Sequence, residues 1–199
     1  MADSSATSQP IIGILALQGA FDAHAQMLKS IGAKTLFIRK PEQLALVDGL
    51  IIPGGESTTF LKHLERGDFF DALAAFVKAK PTFGTCAGVI LMAKTVLNPA
   101  QKSLGALDVT VERNAYGRQN DSRILESETT LPGGPIEMVY IRAPRITEMG
   151  PEVEVLAERE GSPTLVRQGH LLAATFHPEL SHDKRVHQLF VDSVTASLK

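Results

Sequence analysis

Between residues 11 and 97 the chain alternates short apolar runs with stretches of helical spacing, and few folds accommodate that order. "IIGILAL" (11–17) is a continuous β-branched and leucine run, the composition of a strand buried on both faces. "AFDAHAQMLKSIG" (20–32) follows with helical spacing and a glycine stop. "KTLFIR" (34–39) predicts a second strand and "DGLIIPGG" (48–55) a third. Helices are expected over 57–66 and 69–79, the first capped by Ser57 or Thr58. "PTFGTC" (81–86) then predicts a short fourth strand, and "AGVILMAKTVL" (87–97) a helix. Strands alternating with helices argue for a parallel sheet built from βαβ units.

The second half changes character. Strand patterns recur over 107–113, 137–144, 152–159, 163–169 and 171–179, with turn signals such as Pro132-Gly133-Gly134-Pro135 between them. They predict antiparallel strands and meanders attached to the main sheet. A closing helix over 182–198 sets Val186, Leu189, Phe190 and Val194 on one face. The expected fold is therefore α/β: three layers, with a mostly parallel sheet flanked by helices and extended by antiparallel strands.

With 199 residues and 44% hydrophobic composition, one core is expected. A globule of this size buries roughly 70% of its unfolded surface and needs no disulfide or metal staple. Residues 1–9 are small and polar and predict a disordered leader; residues 10–199 predict a single domain. A net charge of −2 gives no electrostatic footprint for nucleic acid or an anionic membrane. No apolar run approaches the ~20 residues a bilayer span needs. The single cysteine cannot form an internal disulfide, which points to a reducing compartment, the cytoplasm. His24, His63, His170, His182 and His187 show no metal-ligand spacing, and the last two, five apart, diverge on a helix. No metal or other cofactor is expected.

That cysteine, Cys86, lies in Gly84-Thr85-Cys86-Ala87-Gly88, a G-x-C-x-G between a predicted strand and a predicted helix. The pattern is the thiol counterpart of the G-x-S-x-G nucleophile elbow. A sharp strand-to-helix turn strains the nucleophile's backbone and brings neighbouring chains close, which is what the glycines permit. The helix N-terminus favours a thiolate, and the Ala87 amide can face an oxyanion. A lone cysteine also packs well in a core, so the pattern leaves both readings open. "TFHPEL" supplies a base: on a strand, His177 and Glu179 project to the same side, and Glu179 could hold the imidazole in one tautomer. "IIPGGEST" ends a buried strand in Pro53-Gly54-Gly55, bare backbone able to donate N–H groups to a substrate. Losing one such donor typically costs ~2.7–4 kcal/mol of transition-state stabilisation. No lysine follows these glycines as a phosphate loop requires.

Together G-x-C-x-G, a distant H-P-E and an earlier P-G-G resemble the class I, triad-type glutamine amidotransferases. "LALQGAFDAH", "PGGESTT", "GTCAG", "VERNAYGRQ", "YIRAP" and "FHPEL" occur in that order across residues 15–180. That set is similar to the glutaminase subunits of pyridoxal 5′-phosphate synthase. The resemblance implies a flavodoxin-like core and hydrolysis of L-glutamine to glutamate and ammonia. Cys86 would attack the side-chain amide, His177 would act as base and then acid, and Glu179 would orient it. The Gly55 and Ala87 amides would form the oxyanion hole. Gly54, Gly55 and Glu56 would line the glutamine site, with Arg113 and the Ile141-Arg142 pair holding the α-carboxylate and amino ends. Gln18 would lie at the contact with a barrel-shaped synthase subunit, which receives the ammonia within a large hetero-oligomer, and would help set the oxyanion strand. Arg123 departs from the pattern, standing where an aromatic or apolar residue is implied. Other readings are the glutaminase subunit of another amidotransferase, such as one serving histidine biosynthesis, a stand-alone cysteine hydrolase of similar build, or a non-catalytic subunit. "NAYGRQ" and "IRAP" argue against the histidine-biosynthesis reading, and the last would be marked by loss of Cys, His or Glu; all three are present.

Overall fold

The structure is a computed structural model in which residues 9–113 and 122–199 are described. Most of the polar leader and "NAYGRQ" (114–119) lie outside the described residues. In chain order the first half comprises β1 (Ile11–Leu15), α1 (Phe21–Ser30), β2 (Lys34–Ile38), β3 (Gly49–Ile52), α2 (Ser57–Leu64), α3 (Phe69–Ala79), β4 (Thr82–Thr85) and α4 (Ala87–Met92). The second half holds β5 (Ala93–Leu97), β6 (Leu107–Glu112), β7 (Ser122–Ser127), β8 (Ile136–Ile141), β9 (Arg145–Met149), β10 (Glu154–Arg159), β11 (Ser162–Gln168), β12 (Leu171–Ala174) and α5 (Arg185–Ser197).

Seven strands form the main sheet in the order β10-β11-β12-β4-β3-β1-β2. Five of them, β2, β1, β3, β4 and β12, run parallel, and β11 and β10 extend the β12 edge antiparallel. Counted along the chain, the parallel part has the flavodoxin order, in which ligands bind beyond the carboxyl ends of the strands.

Period-two alternation divides the sheet's side chains between two cores. Leu50 and Ile52 on β3, with Leu171 and Ala173 on β12, pack against Phe60 and Leu64 of α2 and Leu73 and Val77 of α3. Ile12, Ile14, Ile51 and Phe83 face the other way, onto Leu28 of α1 and Val186, Phe190 and Val194 of α5. Each such side chain stabilises the fold by ~1.5–3 kcal/mol on full burial. The three-layer expectation is borne out.

Several expected elements differ. The helix expected over 87–97 stops at Met92, and Ala93–Leu97 is a strand pairing with β6. β-Branched Thr95 and Val96 favour that conformation, and only Ala93 and Val96 of the strand are buried. Not all later strands join the main sheet: β5-β6-β9 and β7-β8 form separate small sheets. β7 and β9 were not expected; burial alternates too weakly along them, with one buried residue in β9, to stand out in the sequence. Arg123, on β7 opposite Tyr140, is exposed, so its charge stays in solvent. The last expected strand ends at Ala174 rather than Glu179, and Pro178–Leu180 forms one 3-10 turn.

Two glycines allow α4 to sit against the sheet. A Cβ on Gly88 would lie 2.1 Å from the Ile52 carbonyl oxygen, and one on Gly84 2.9 Å from Gly88 backbone. Gly88→Ala is expected to lower unfolding stability by about 1–3 kcal/mol, the usual cost of overpacking a closed contact. Urea unfolding measures this as a lower midpoint; an unchanged midpoint would contradict the packing.

Candidate active site

The carboxyl ends of β1, β3, β4 and β12 supply the loops that build the site. Cys86 follows β4 directly and takes φ 48°, ψ −104°, a region that non-glycine residues rarely occupy. Such strain costs of order 1–3 kcal/mol and persists only where the surroundings hold it. Here the Cys86 amide donates to the Ala174 carbonyl at 2.9 Å, and its own carbonyl accepts from Val89 at 3.0 Å. α4 is only six residues long, which limits what its dipole gives the thiol. The thiol's stronger partner is an imidazole.

His177 caps the 3-10 turn after β12, its amide donating to the Val139 carbonyl at 2.8 Å. Its Nδ1 lies 2.7 Å from Glu179 Oε1, and Cys86 is the ring's other electrostatic partner. With Nδ1 taken by Glu179, Nε2 is the nitrogen left for the thiol. The pairing of His177 with Glu179 comes from the turn, which brings residues two apart together, and not from strand periodicity. Burial opposes a charge on His177, but the hydrogen bonds and negative charges of Cys86 and Glu179 outweigh it and raise its pKa to about 10. Burial likewise opposes ionisation of Glu179, yet the imidazoles of His24 and His177 hold its pKa below the ordinary carboxyl value. Cys86, His177 and Glu179 are each 6% exposed, so their mutual charges are weakly screened.

The turn after β3 faces this group. A Cβ on Gly54 would fall 2.5 Å from the His177 ring and 3.3 Å from Cys86 Cβ, so only glycine fits between them. The Gly54 carbonyl accepts from the Ala20 amide at 3.1 Å. Because a trans peptide sets C=O and N–H opposite, the Gly55 N–H faces away from Ala20. Among the described residues neither the Gly55 nor the Ala87 amide has an acceptor. Gln18 ties the turn down reciprocally: its Nε2 donates to the Glu56 carbonyl and its Oε1 accepts from the Glu56 amide, both at 3.2 Å. It packs so closely on Gly55 that a Cβ there would lie 2.5 Å from Gln18 Nε2.

Glu56, and not Ser57 or Thr58, caps α2. Its carboxylate accepts from the Thr58 amide at 3.1 Å and the Thr59 amide at 2.8 Å, and from both threonine hydroxyls. These bonds overcome the opposing effect of desolvation and lower its pKa to about 2. The sequence favoured a hydroxyl cap because Ser and Thr are common there; a carboxylate satisfies two amides at once.

A cavity of about 290 Å³ opens over Cys86 and His177, close to the lower limit of ~300 Å³ for small-molecule sites. Gly55, Glu56, Arg113, Ile141 and Arg142 line it as expected, and Ser57 and Ile90, not foreseen, complete the wall. Arg113 NH2 lies 3.7 Å from Glu56 Oε1, and Arg142 is held at φ 44° beside Ile141, whose carbonyl is 4.0 Å from Cys86 Sγ. Gly54, Ala87, Gln18 and Glu179, also expected in the site, are not among the lining residues. Two further buried groups were missed: His24 adjoins Glu179, and His187 adjoins His24. Their signal was periodicity: His24 shares the buried face of α1 with Met27 and Leu28, and His187 that of α5 with Phe190 and Val194.

Comparison with known families agrees with this geometry. The model of the SNO glutamine amidotransferase family matches residues 14–196. The chain belongs to that family. A curated relative from Koribacter versatilis, named pyridoxal 5′-phosphate synthase subunit PdxT, is 65% identical over 92% of this chain and 95% of its own. A Thermotoga maritima protein of the same name is 48% identical over 92% and 98%. A solved glutamine amidotransferase superposes with TM-score 0.86 at 43% identity, covering 92% of this chain and 98% of that one. At 14% identity, a Thermoplasma acidophilum structure described as a putative GMP synthase subunit still gives TM-score 0.70, which shows the shared fold. The amidotransferase family and fold expected from the sequence are both borne out. Among the described residues no helix is long and apolar enough to cross a membrane, and no group of three or more His, Cys, Asp or Glu could hold a metal ion.

The site's charge state is testable. Because the folded pKa of His177 exceeds its ordinary 6.5, its pairing stabilises the fold fully below pH 6.5 and loses that contribution as pH rises through about 10. Nitrogen NMR of histidine-labelled protein is expected to show His177 protonated on both nitrogens at neutral pH. His24 and His187, lowered chiefly by burial, should each carry one proton there. A His177 titrating near 6.5 would overturn the assignment.

Proposed function

We propose that residues 10–199 act as one glutaminase unit, a subunit that hydrolyses L-glutamine to glutamate and ammonia for pyridoxal 5′-phosphate synthesis. The observation that carries this reading is the strained Cys86 sharing a small cavity with His177, itself held by Glu179, and with Arg113 at its edge. The relatives' shared name, pyridoxal 5′-phosphate synthase subunit, supports the pathway.

The chemistry starts with the second proton held on His177 at neutral pH, beside the sulfur that acts as nucleophile. Arg113 and the Ile141-Arg142 segment bind the amino-acid end of glutamine, with Gly54, Gly55 and Glu56 along its side chain. Cys86 sulfur attacks the side-chain carbonyl carbon, and the oxygen takes the negative charge facing the Gly55 and Ala87 amides. His177 gives its proton to the amide nitrogen, the C–N bond breaks and ammonia leaves a γ-glutamyl thioester. Neutral His177 then takes a proton from water, whose oxygen attacks the thioester carbon. Collapse expels the Cys86 thiolate, releases glutamate and restores the starting state. Glu179 keeps Nε2 of His177 aimed at the sulfur throughout.

The partner in this reading is a barrel-shaped synthase subunit within a large hetero-oligomer, which takes up the ammonia. Gln18 lies at that contact, and through Glu56 it adjusts the oxyanion strand on docking. A single cysteine with no disulfide partner suits a reducing compartment, which supports a cytoplasmic location.

Two outcomes test the reading. Ammonia release from glutamine should be low for the chain alone and rise about 5–150-fold when the synthase subunit is added, the usual range of coupling between sites. Equal activity without the partner would remove the coupling. Cys86→Ala should cut release at least about a thousandfold while still forming the complex, as loss of a covalent nucleophile does. Substantial release by that variant would exclude Cys86 as the nucleophile.

A further inference from the structure

Behind the cavity lies a second set of buried titratable groups, continuous with the triad. His24 on α1 and His187 on α5 are both 0% exposed, and Nδ1 of His24 lies 2.9 Å from Nε2 of His187. On its other side, His24 Nε2 is 3.1 Å from Thr85 Oγ1 and 3.4 Å from Glu179 Oε2. Glu179 Oε1 is taken by His177, whereas Oε2 is buried and makes no aligned hydrogen bond: His24 Nε2 is within reach but directed mainly at Thr85 Oγ1. A carboxylate oxygen in that position needs a donor nearby, and His24 Nε2 is the group that faces it.

We propose that His24 is a positioning residue of the glutaminase: its neutral ring donates Nε2–H toward Glu179 Oε2, and His187 sets that tautomer. The inference rests on the triad reading above. Complete burial lowers the pKa of both rings, and an imidazolium at His24 would sit near that of His177. Each neutral ring therefore carries one N–H, and the chain of contacts has two arrangements. In one, His187 Nε2–H donates to His24 Nδ1 and His24 Nε2–H faces Glu179; the chain ends on a bare Nδ1 of His187. That atom is the one with no partner. In the other, the His24 Nε2 lone pair accepts from the Thr85 hydroxyl but lies against a carboxylate oxygen, and His187 buries an unpaired N–H donor. The first arrangement avoids both faults.

Packing alone does not account for the pair. Phe83 lies edge-on to both rings, at 6.3 Å from His24 and 5.7 Å from His187, in an otherwise apolar layer between α1, α5 and the sheet. Apolar side chains would fill that layer without burying polar nitrogen. The titratable groups facing His24 are His187 from α5 and Glu179 and His177 from the turn after β12, with Thr85 of β4 linking it to the residue before Cys86. With His177 on one oxygen and His24 3.4 Å from the other, rotation of Glu179 away from His177 would carry Oε2 off its only facing imidazole donor.

The test measures ammonia release in the presence of the synthase subunit, as kcat and KM against pH, for wild type, His24→Leu, His24→Gln and His187→Leu. Thermal melts and labelling by a diazo-ketone analogue of glutamine count folded, competent sites. His24→Leu should lower kcat per competent site about tenfold or more with little change in KM, the scale of a lost hydrogen bond to a charged group. Losing the donor raises the pKa of Glu179, so the acid limb of kcat should move to higher pH. Gln, whose amide N–H can stand near the imidazole Nε2, should recover most of kcat and return the limb. His187→Leu should give a smaller loss in the same direction. A folded His24→Leu with wild-type kcat and acid limb overturns the proposal, as does His24→Gln performing no better than Leu. If His24→Leu does not fold, a folded His187→Leu with unmoved kcat and limb overturns it, and a loss with a shifted limb supports it. A wild type that releases no ammonia, or a label on a residue other than Cys86, refutes the triad reading itself, and this inference falls with it.

Discussion

The site depends on one backbone contact, the approach of α4 to the end of β3. Gly88 comes so near the Ile52 carbonyl that a methyl group there would overlap it. That closeness turns the chain sharply at Cys86 and keeps it at positive φ, with the sulfur at the cavity floor rather than in the core. Every other part of the site is placed against this fixed point: the Gly54 turn beside it, the His177 turn across from it, and the β4–β12 pairing that joins the two strands.

Charge is the second organising quantity. A carboxylate, an imidazole and a thiol are buried together, and their protons are shared so that no charge stands alone. Desolvation works against each ionised group, and the neighbour's opposite charge wins because screening is weak there. Glu56 achieves the same end at the cavity rim by a different route, with its negative charge held by the N-terminus of α2.

Much of this was legible in the sequence. β-Branched runs and glycine stops located the parallel strands to within a few residues, and G-x-C-x-G and H-P-E picked out Cys86, His177 and Glu179, which the fold brings together. What failed to show has a physical reason in each case. Lys94 to Leu97 continues a helical-looking run, and only pairing with β6 makes it a strand. Glu56 reads as a substrate contact but also serves as a helix cap. His24 looked like an isolated histidine because its partners, Glu179 and His187, are supplied by the far end of the chain and come near only through the fold. Most of the motif around Asn114 lies outside the described residues, so its contribution to the cavity rests on sequence alone.

The order of strands carries a consequence for how the reactive thiol is managed during synthesis. Cys86 leaves the ribosome early, on β4, whereas His177 and Glu179 follow β12, after all the smaller sheets. β4 and β12 are neighbours in space, so the last parallel strand must insert between β4 and β11 before the base meets the sulfur. Until that late, non-local pairing forms, Cys86 stands in the growing chain without His177 beside it. Assembly of the buried group thus waits, by topology, until the sheet is complete.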